Sequence, residues 1–210
     1  GQKFTPGIVL EGGSIEVNGK GTLITTEQCL LNPNRNPELG KQQIENYLNN
    51  YLGTGKIIWL KRGITNDHTD GHIDDIAKFI NPTTILCSYE EDENDDNFEI
   101  LRDNYKTLEQ MTDQDGKKFN LIKLPMPHMF YDNSENHNSR KAPASYCNFY
   151  IGNRVVLMPK FNDPNDAKAL EIIQSCFPNR KVVSIDCSEV IYGGGTIHCM
   201  TQQEPAPVRG

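Results

Sequence analysis

The chain lacks several features that would place it in a familiar class. It has six cysteines, at 29, 87, 147, 176, 187 and 199, but no Cys-x-x-Cys pair and no disulfide-framework spacing. Most of them sit inside apolar runs, so free thiols in a reducing compartment are expected. No apolar stretch approaches the length of a membrane span, which leaves no transmembrane helix to expect. The first residues, Gly1-Gln2-Lys3-Phe4-Thr5-Pro6, do not read as a signal peptide, and the expected location is cytoplasmic. Positive charge is not in excess. The formal net charge of −7 argues against a nucleic-acid partner and suits a cationic ligand. Hydrophobic content is 36%, low for a compact globule, yet the apolar runs are well formed. A chain of 210 residues can bury a substantial core as one domain, or as part of one.

What is present repeats. Ser14-Ile15-Glu16-Val17 and Thr22-Leu23-Ile24-Thr25-Thr26 flank an Asn18-Gly19 turn, a strong hairpin signal. Ile44, Leu48, Tyr51 and Leu52 recur at helical spacing, Gly53 and Gly55 stop that helix, and Lys56–Leu60 reads as a strand. The order strand, strand, helix, strand then returns twice. One copy runs from Gly71-His72-Ile73-Asp74 through Thr83–Tyr89, a helix from Phe98 to Met111, and Asn120–Leu124. The other runs from Ser145–Ile151 through Val155–Met158, a helix from about Asp166 to Phe177, and Lys181–Asp186. The units cover about 7–63, 72–125 and 145–187, with a final strand over 193–203. This self-similarity predicts a repeated α/β architecture in which each unit buries its faces against its neighbours. The acidic run Glu90 to Asp96 reads as a solvated lead-in to a helix.

Polar residues stand at three places where the strand pattern asks for apolar ones. These are Glu11 in Leu10-Glu11-Gly12-Gly13, the stretch His68-Thr69-Asp70-Gly71-His72-Ile73-Asp74-Asp75, and Cys199 after Gly193-Gly194-Gly195-Thr196-Ile197-His198. Each follows or adjoins glycine, which admits a backbone or a substrate where a Cβ would clash. Read as strands, these stretches put His72 and Asp74 on one face with Ile73 toward the core, and His198 on the face opposite Cys199. In a repeat, equivalent strand ends meet on one axis. A thiol, a histidine and two carboxylates gathered there suggest attack of sulfur on a guanidinium carbon. The histidine would move protons and the acids would hold the planar cation. Carboxylates beside the thiol would raise its pKa, and a bound guanidinium would reverse that.

With these residues in hand, the chain resembles the agmatine deiminase branch of the guanidino-group-modifying (pentein) superfamily, which also includes bacterial peptidylarginine deiminases. The resemblance rests on Leu10–Ser14, Leu31-Asn32-Pro33-Asn34-Arg35-Asn36-Pro37, Asp70–Asp74, Ser145–Ile151 and Gly193–Gln203, spread in order over the whole chain. It implies a propeller of five ββαβ units around a central site, of which about three are present here. It implies that Cys199 is the nucleophile, His72 the general acid and base, and Glu11 and Asp74 the carboxylates that hold the guanidinium and orient the histidine. Gly194 and Gly195 would line the substrate. The implied reaction converts agmatine to N-carbamoylputrescine and ammonia, a step of polyamine biosynthesis, with no cofactor or metal. A homodimer is also implied. So are about two further units ahead of Gly1, because family members carry an N-terminal Trp-x-Arg-Asp-type motif that Trp59, in Ile58-Trp59-Leu60-Lys61, does not match.

Other readings stay open at this point. His68 and His72 are four apart with Asp70 and Asp74 nearby, a spacing that a divalent-metal hydrolase could use. The chain could be a non-catalytic or partner-dependent part of a deiminase, or act on peptidyl-arginine. His128 and His137 read as surface or lid residues. Cys87, Cys147 and Cys176 read as core thiols.

Overall fold

The computed structural model describes residues 3–131 and 140–204. His137 lies outside them. Among the described residues the chain forms three three-stranded sheets of the same plan. The first contains β1 (Glu16–Val17), β2 (Thr22–Thr26) and β3 (Lys56–Leu60), with a short helix α1 (Glu27–Leu30) and a longer one, α2 (Lys41–Leu52), between β2 and β3. The second contains β4 (Ala77–Asn81), β5 (Thr84–Tyr89) and, after helix α3 (Phe98–Gln110), β6 (Asn120–Pro125). A two-stranded ribbon follows, β7 (Phe130–Tyr131) and β8 (Arg140–Lys141). The third sheet contains β9 (Tyr150–Ile151), β10 (Val155–Lys160) and, after helix α4 (Asp166–Cys176), β11 (Lys181–Asp186). In each sheet the first two strands pair antiparallel and the helical crossover brings in the third parallel to the second. The sheets stay separate and close no barrel among the described residues.

Local chemistry explains these elements. The central strands are runs of β-branched and apolar residues, and all five residues of β2 are buried, as a strand covered on both faces requires. Gln43 Oε1 accepts the Gly40 N–H at the start of α2, and Gly53, at φ 65°, closes that helix with its N–H on Asn49 O. Ile44 and Leu48 are the buried positions of α2. Three cores hold these elements together, each drawing on more than one stretch of the chain. One gathers under α2 and another around Ile73, Ile76 and Leu101. The largest forms around Tyr146, Phe149, Met158 and Ile173. No helix among the described residues is long and apolar enough to cross a membrane.

Each sheet is approached by a tight turn just before its first strand. Gly12–Ser14 is a single 3-10 turn before β1, and Ile73–Asp75 is another before β4. Ser145–Asn148 turns before β9, with Asn148 N–H donating to Ser145 O. Four expected strands are therefore corrected. The strand expected over Ser14–Val17 begins only at Glu16, after the Gly12–Ser14 turn. The strand expected from Gly71 begins only at Ala77, and the one expected from Ser145 only at Tyr150. The last correction is the largest. Residues 193–203 form no strand: the 3-10 turn Val190–Gly193 ends at their first residue, and a second one, His198–Met200, lies within them. Gly194 at φ 88° reverses the chain between them, which a β-branched run cannot signal locally.

Candidate active site

The approach turns and the final turn meet at one cavity of about 410 Å³, lined among others by Glu11, His72, Asp74, Gly194, Gly195 and Cys199. All six expected site residues are thus brought together. The glycines are needed for close packing. A Cβ at Gly195 would stand 2.8 Å from Cys199 Sγ, and one at Gly13 would stand 2.6 Å from His72 Nδ1 and 2.8 Å from Asp74 Oδ2.

Cys199 sits on the His198–Met200 turn, so the expectation that His198 and Cys199 face opposite ways is overturned. A 3-10 turn rotates successive side chains by about 120° rather than 180°. Both residues reach one oxygen: His198 Nδ1 lies 2.7 Å and Cys199 Sγ 3.6 Å from Asp74 Oδ2. Asp74 is fully buried. Burial alone would raise its pKa, but the His198 hydrogen bond and the nearby His198, Lys78 and His72 hold it below the ordinary carboxylate value. Its other oxygen, Oδ1, is buried with no hydrogen-bond partner.

His72 is also buried, and its Nε2 makes no hydrogen bond; the nearest carboxylate oxygen, Glu11 Oε1, is 3.6 Å away. The loop that carries His72 is held from outside by Asp67, whose Oδ2 accepts the Gly71 and His72 amides. Thr26 Oγ1 donates to Gly71 O from the end of β2. Glu11 has a resident partner that the sequence reading missed. Arg35 Nε donates to both Glu11 oxygens, at 2.8 and 3.0 Å, while its Nη1 donates to Asp70 and its Nη2 to Thr69 O. Burial would raise the Glu11 pKa, and Arg35 outweighs it.

Two further residues complete the floor. Asp75 is buried beside Asp74, and burial, then the Asp74 charge, push its pKa well above the carboxylate range. Asn148 links it to the nucleophile, its Nδ2 donating to Asp75 Oδ1 (3.0 Å) and to Cys199 Sγ (3.1 Å). The repeat could have found Asn148, because it stands two residues before β9 as Asp75 stands two before β4. The thiol of Cys199 is pushed up, first by burial and then by Asp75 and Asp74, with Asn148 opposing. Cys29, next to Glu11 and His72, is pushed up to about 12 by burial and is fully enclosed, so it is no rival nucleophile.

The alternative metal quartet does not assemble. Asp70 is engaged by Arg35 and Asn34, Asp74 by His198, and the His68 ring packs on Gly194. The acidic run is largely exposed as expected, with one exception. Glu90 is buried, its Oε2 facing an exposed His128 at 3.7 Å. Asp95, near both, is paired with Lys141. Cys87 and Cys147 are buried, as are Cys29 and Cys187, while Cys176 is half-buried.

Comparison with known proteins places the chain in a family. Residues 1–205 match the family model of Porphyromonas-type peptidyl-arginine deiminase, and the chain belongs to that family. It is 44% identical over 216 residues to an agmatine deiminase of Pseudomonas syringae, an alignment that covers 97% of this chain and 59% of that protein. The solved structure of the agmatine deiminase of Enterococcus faecalis superposes with a TM-score of 0.90 at 42% identity, over 96% of this chain and 58% of that one. A dimethylarginine dimethylaminohydrolase, at 17% identity and a TM-score of 0.50, shares the mixed α/β pentein fold alone. The chain therefore spans under two thirds of the length of the curated relatives it matches.

Proposed function

We propose that this chain carries the reacting groups of an agmatine deiminase, which hydrolyses the guanidinium of agmatine to N-carbamoylputrescine and ammonia. The observation that carries the reading is Asp74 Oδ1, a buried carboxylate oxygen with no donor, in a cavity shared with Cys199 and His72. His198 satisfies only Oδ2 of this carboxylate; a buried oxygen left without a donor is costly, and a planar cation with several N–H donors is the partner it calls for. The names of the longer relatives favour agmatine over other guanidines.

In this reading Cys199 Sγ attacks the guanidinium carbon as a thiolate and forms a C–S bond. One C–N bond breaks, and the leaving nitrogen departs as ammonia with a proton delivered by His72. Water, giving a proton back to His72, then attacks the amidino carbon. The C–S bond breaks with its electron pair on sulfur, the hydroxyl left by the water loses its remaining proton to solvent as the carbonyl forms, and the ureido product leaves with the thiolate restored. Glu11, held by Arg35, acts by orienting His72, and Asp74 holds the cation. Gly194 and Gly195 let the substrate reach the sulfur. The three sheets are read as three units of a five-unit pentein propeller.

The test is ureido-product formation from agmatine and, separately, from a peptidyl-arginine, with Cys199→Ser as control. Turnover of agmatine that the substitution abolishes supports the reading. Turnover of peptidyl-arginine alone replaces the substrate and keeps the chemistry.

A further inference from the structure

Asn148 makes more polar contacts to the nucleophile's turn than any residue to which the reading above gives a role. Its side-chain Oδ1 accepts from Thr196 Oγ1 (2.9 Å), His198 N (2.9 Å) and Cys199 N (3.3 Å). Its backbone carbonyl also accepts from His198 N, at 3.1 Å. Both N–H bonds of Nδ2 are used, one on Asp75 Oδ1 and one on Cys199 Sγ. The residue is 1% exposed, so water does not compete for these contacts. With Oδ1 fixed by three donors, the amide cannot flip, and Nδ2 can only point at the sulfur. Asp75 is held in turn, its carbonyl accepting from Ser88 Oγ and Ser145 Oγ.

We propose that Asn148 is a catalytic residue that donates a hydrogen bond to Cys199 Sγ in its attacking, thiolate form and fixes the turn that presents it. The charged neighbours explain why such a donor is needed. Asp74 lies 3.6 Å from the sulfur and Asp75 stands behind it, both disfavouring a second anion. His198 is committed to Asp74, and His72 faces Glu11. That leaves two neutral donors on the sulfur, the Asn148 side-chain amide and the Thr196 backbone, and of these only the Asn148 amide also bridges to Asp75 and holds the turn. A hydrogen bond to a charged acceptor contributes more than one between neutral groups.

The role belongs to the deiminase reading, but its test needs no substrate. The pH profile of Cys199 alkylation by iodoacetamide, read on its own peptide by mass spectrometry, reports thiolate formation directly. In Asn148→Ala the midpoint is expected to rise by about one to two pH units. Thr196→Val, which removes one donor from Oδ1 and leaves Nδ2 in place, is expected to leave the midpoint within a few tenths of a unit. An unmoved profile in Asn148→Ala, or an equal rise in Thr196→Val, overturns the proposal. Should Asn148→Ala fail to fold, the NMR signals of the Asn148 side-chain amide in the parent protein decide. They are expected to shift with the Cys199 titration and not to shift in Cys199→Ser. A parent amide blind to that titration overturns the proposal. A raised midpoint in a protein that does not turn over agmatine keeps Asn148's role and discards the substrate.

Discussion

His198 Nδ1 stands 2.7 Å from Asp74 Oδ2 inside the protein. On the far side of the ring, Gln203 Nε2 lies 3.4 Å from His198 Nε2. The hydrogen bond from the ring to Asp74 favours the ionised carboxylate, and the Gln203 amide flanks the ring's other nitrogen.

His198→Ala should therefore move the acid side of the pH–rate profile. Asp74 titrates below the ordinary carboxylate value because His198 offsets its burial. Without that donor, burial prevails and the pKa rises. The acid limb of kcat/KM is expected to shift upward in pH, with the loss greatest at the acid end and smallest above neutrality. An unchanged limb in a folded variant would remove His198 from the account.

Arg35 ties Glu11 to Asp70 and to the Thr69 carbonyl, so it fixes two loops at once. Arg35→Met should cost about 2 kcal/mol in urea unfolding, less than a fully buried pair because Glu11 is partly exposed. A carboxylate with a depressed pKa stabilises above its unfolded pKa and loses that contribution as pH falls through the folded one. The difference between parent and variant should thus shrink toward low pH. A constant gap would show that the contact is packing alone.

Asp75 behaves in the opposite sense. Its folded pKa is raised, so its contribution is complete below the unfolded pKa and is lost as pH rises through the folded one. Asp75→Asn keeps an oxygen for Asn148 Nδ2 and carries no charge. Thermal unfolding should show parent and variant alike near pH 3, below the unfolded Asp pKa of about 3.9, and the variant ahead at pH 9. A variant weaker at both values would mean that the carboxyl proton is itself bonded.

The thiol titration should depend on ligand. Cys199 is pushed up by burial, Asp75 and Asp74 in the free protein. A guanidinium ligand that cannot react places a positive charge beside Asp74 and favours the thiolate. Absorbance at 240 nm, parent minus Cys199→Ser, is expected to titrate lower by about one unit or more with the ligand bound. Coincident curves would contradict substrate-assisted ionisation.

Much of this was legible in the sequence, for physical reasons. Ile44 and Leu48 announce α2 because a buried helical stripe needs that period, and Asn18-Gly19 announces the β1–β2 hairpin because few residues accept its backbone angles. Glu11, His72, Asp74 and Cys199 stood out as polar breaks in apolar patterns. The final turn did not. Thr196 and Ile197 look like strand, and what bends them is Gly194 together with an amide 48 positions away at Asn148. Arg35 was seen as part of a resemblance but not as the partner of Glu11, since no local pattern pairs residues 24 apart.

The measurement closest to the central claim is ureido-product formation from agmatine by the purified protein and by Asp74→Asn. The parent should turn over. The variant, which keeps a side-chain oxygen for His198 but loses the charge facing the cation, should fall in kcat/KM on the order of 10²–10³-fold while remaining folded. A folded variant that turns over agmatine like the parent would contradict Asp74 as the guanidinium's counter-charge and, with it, the reading of this cavity.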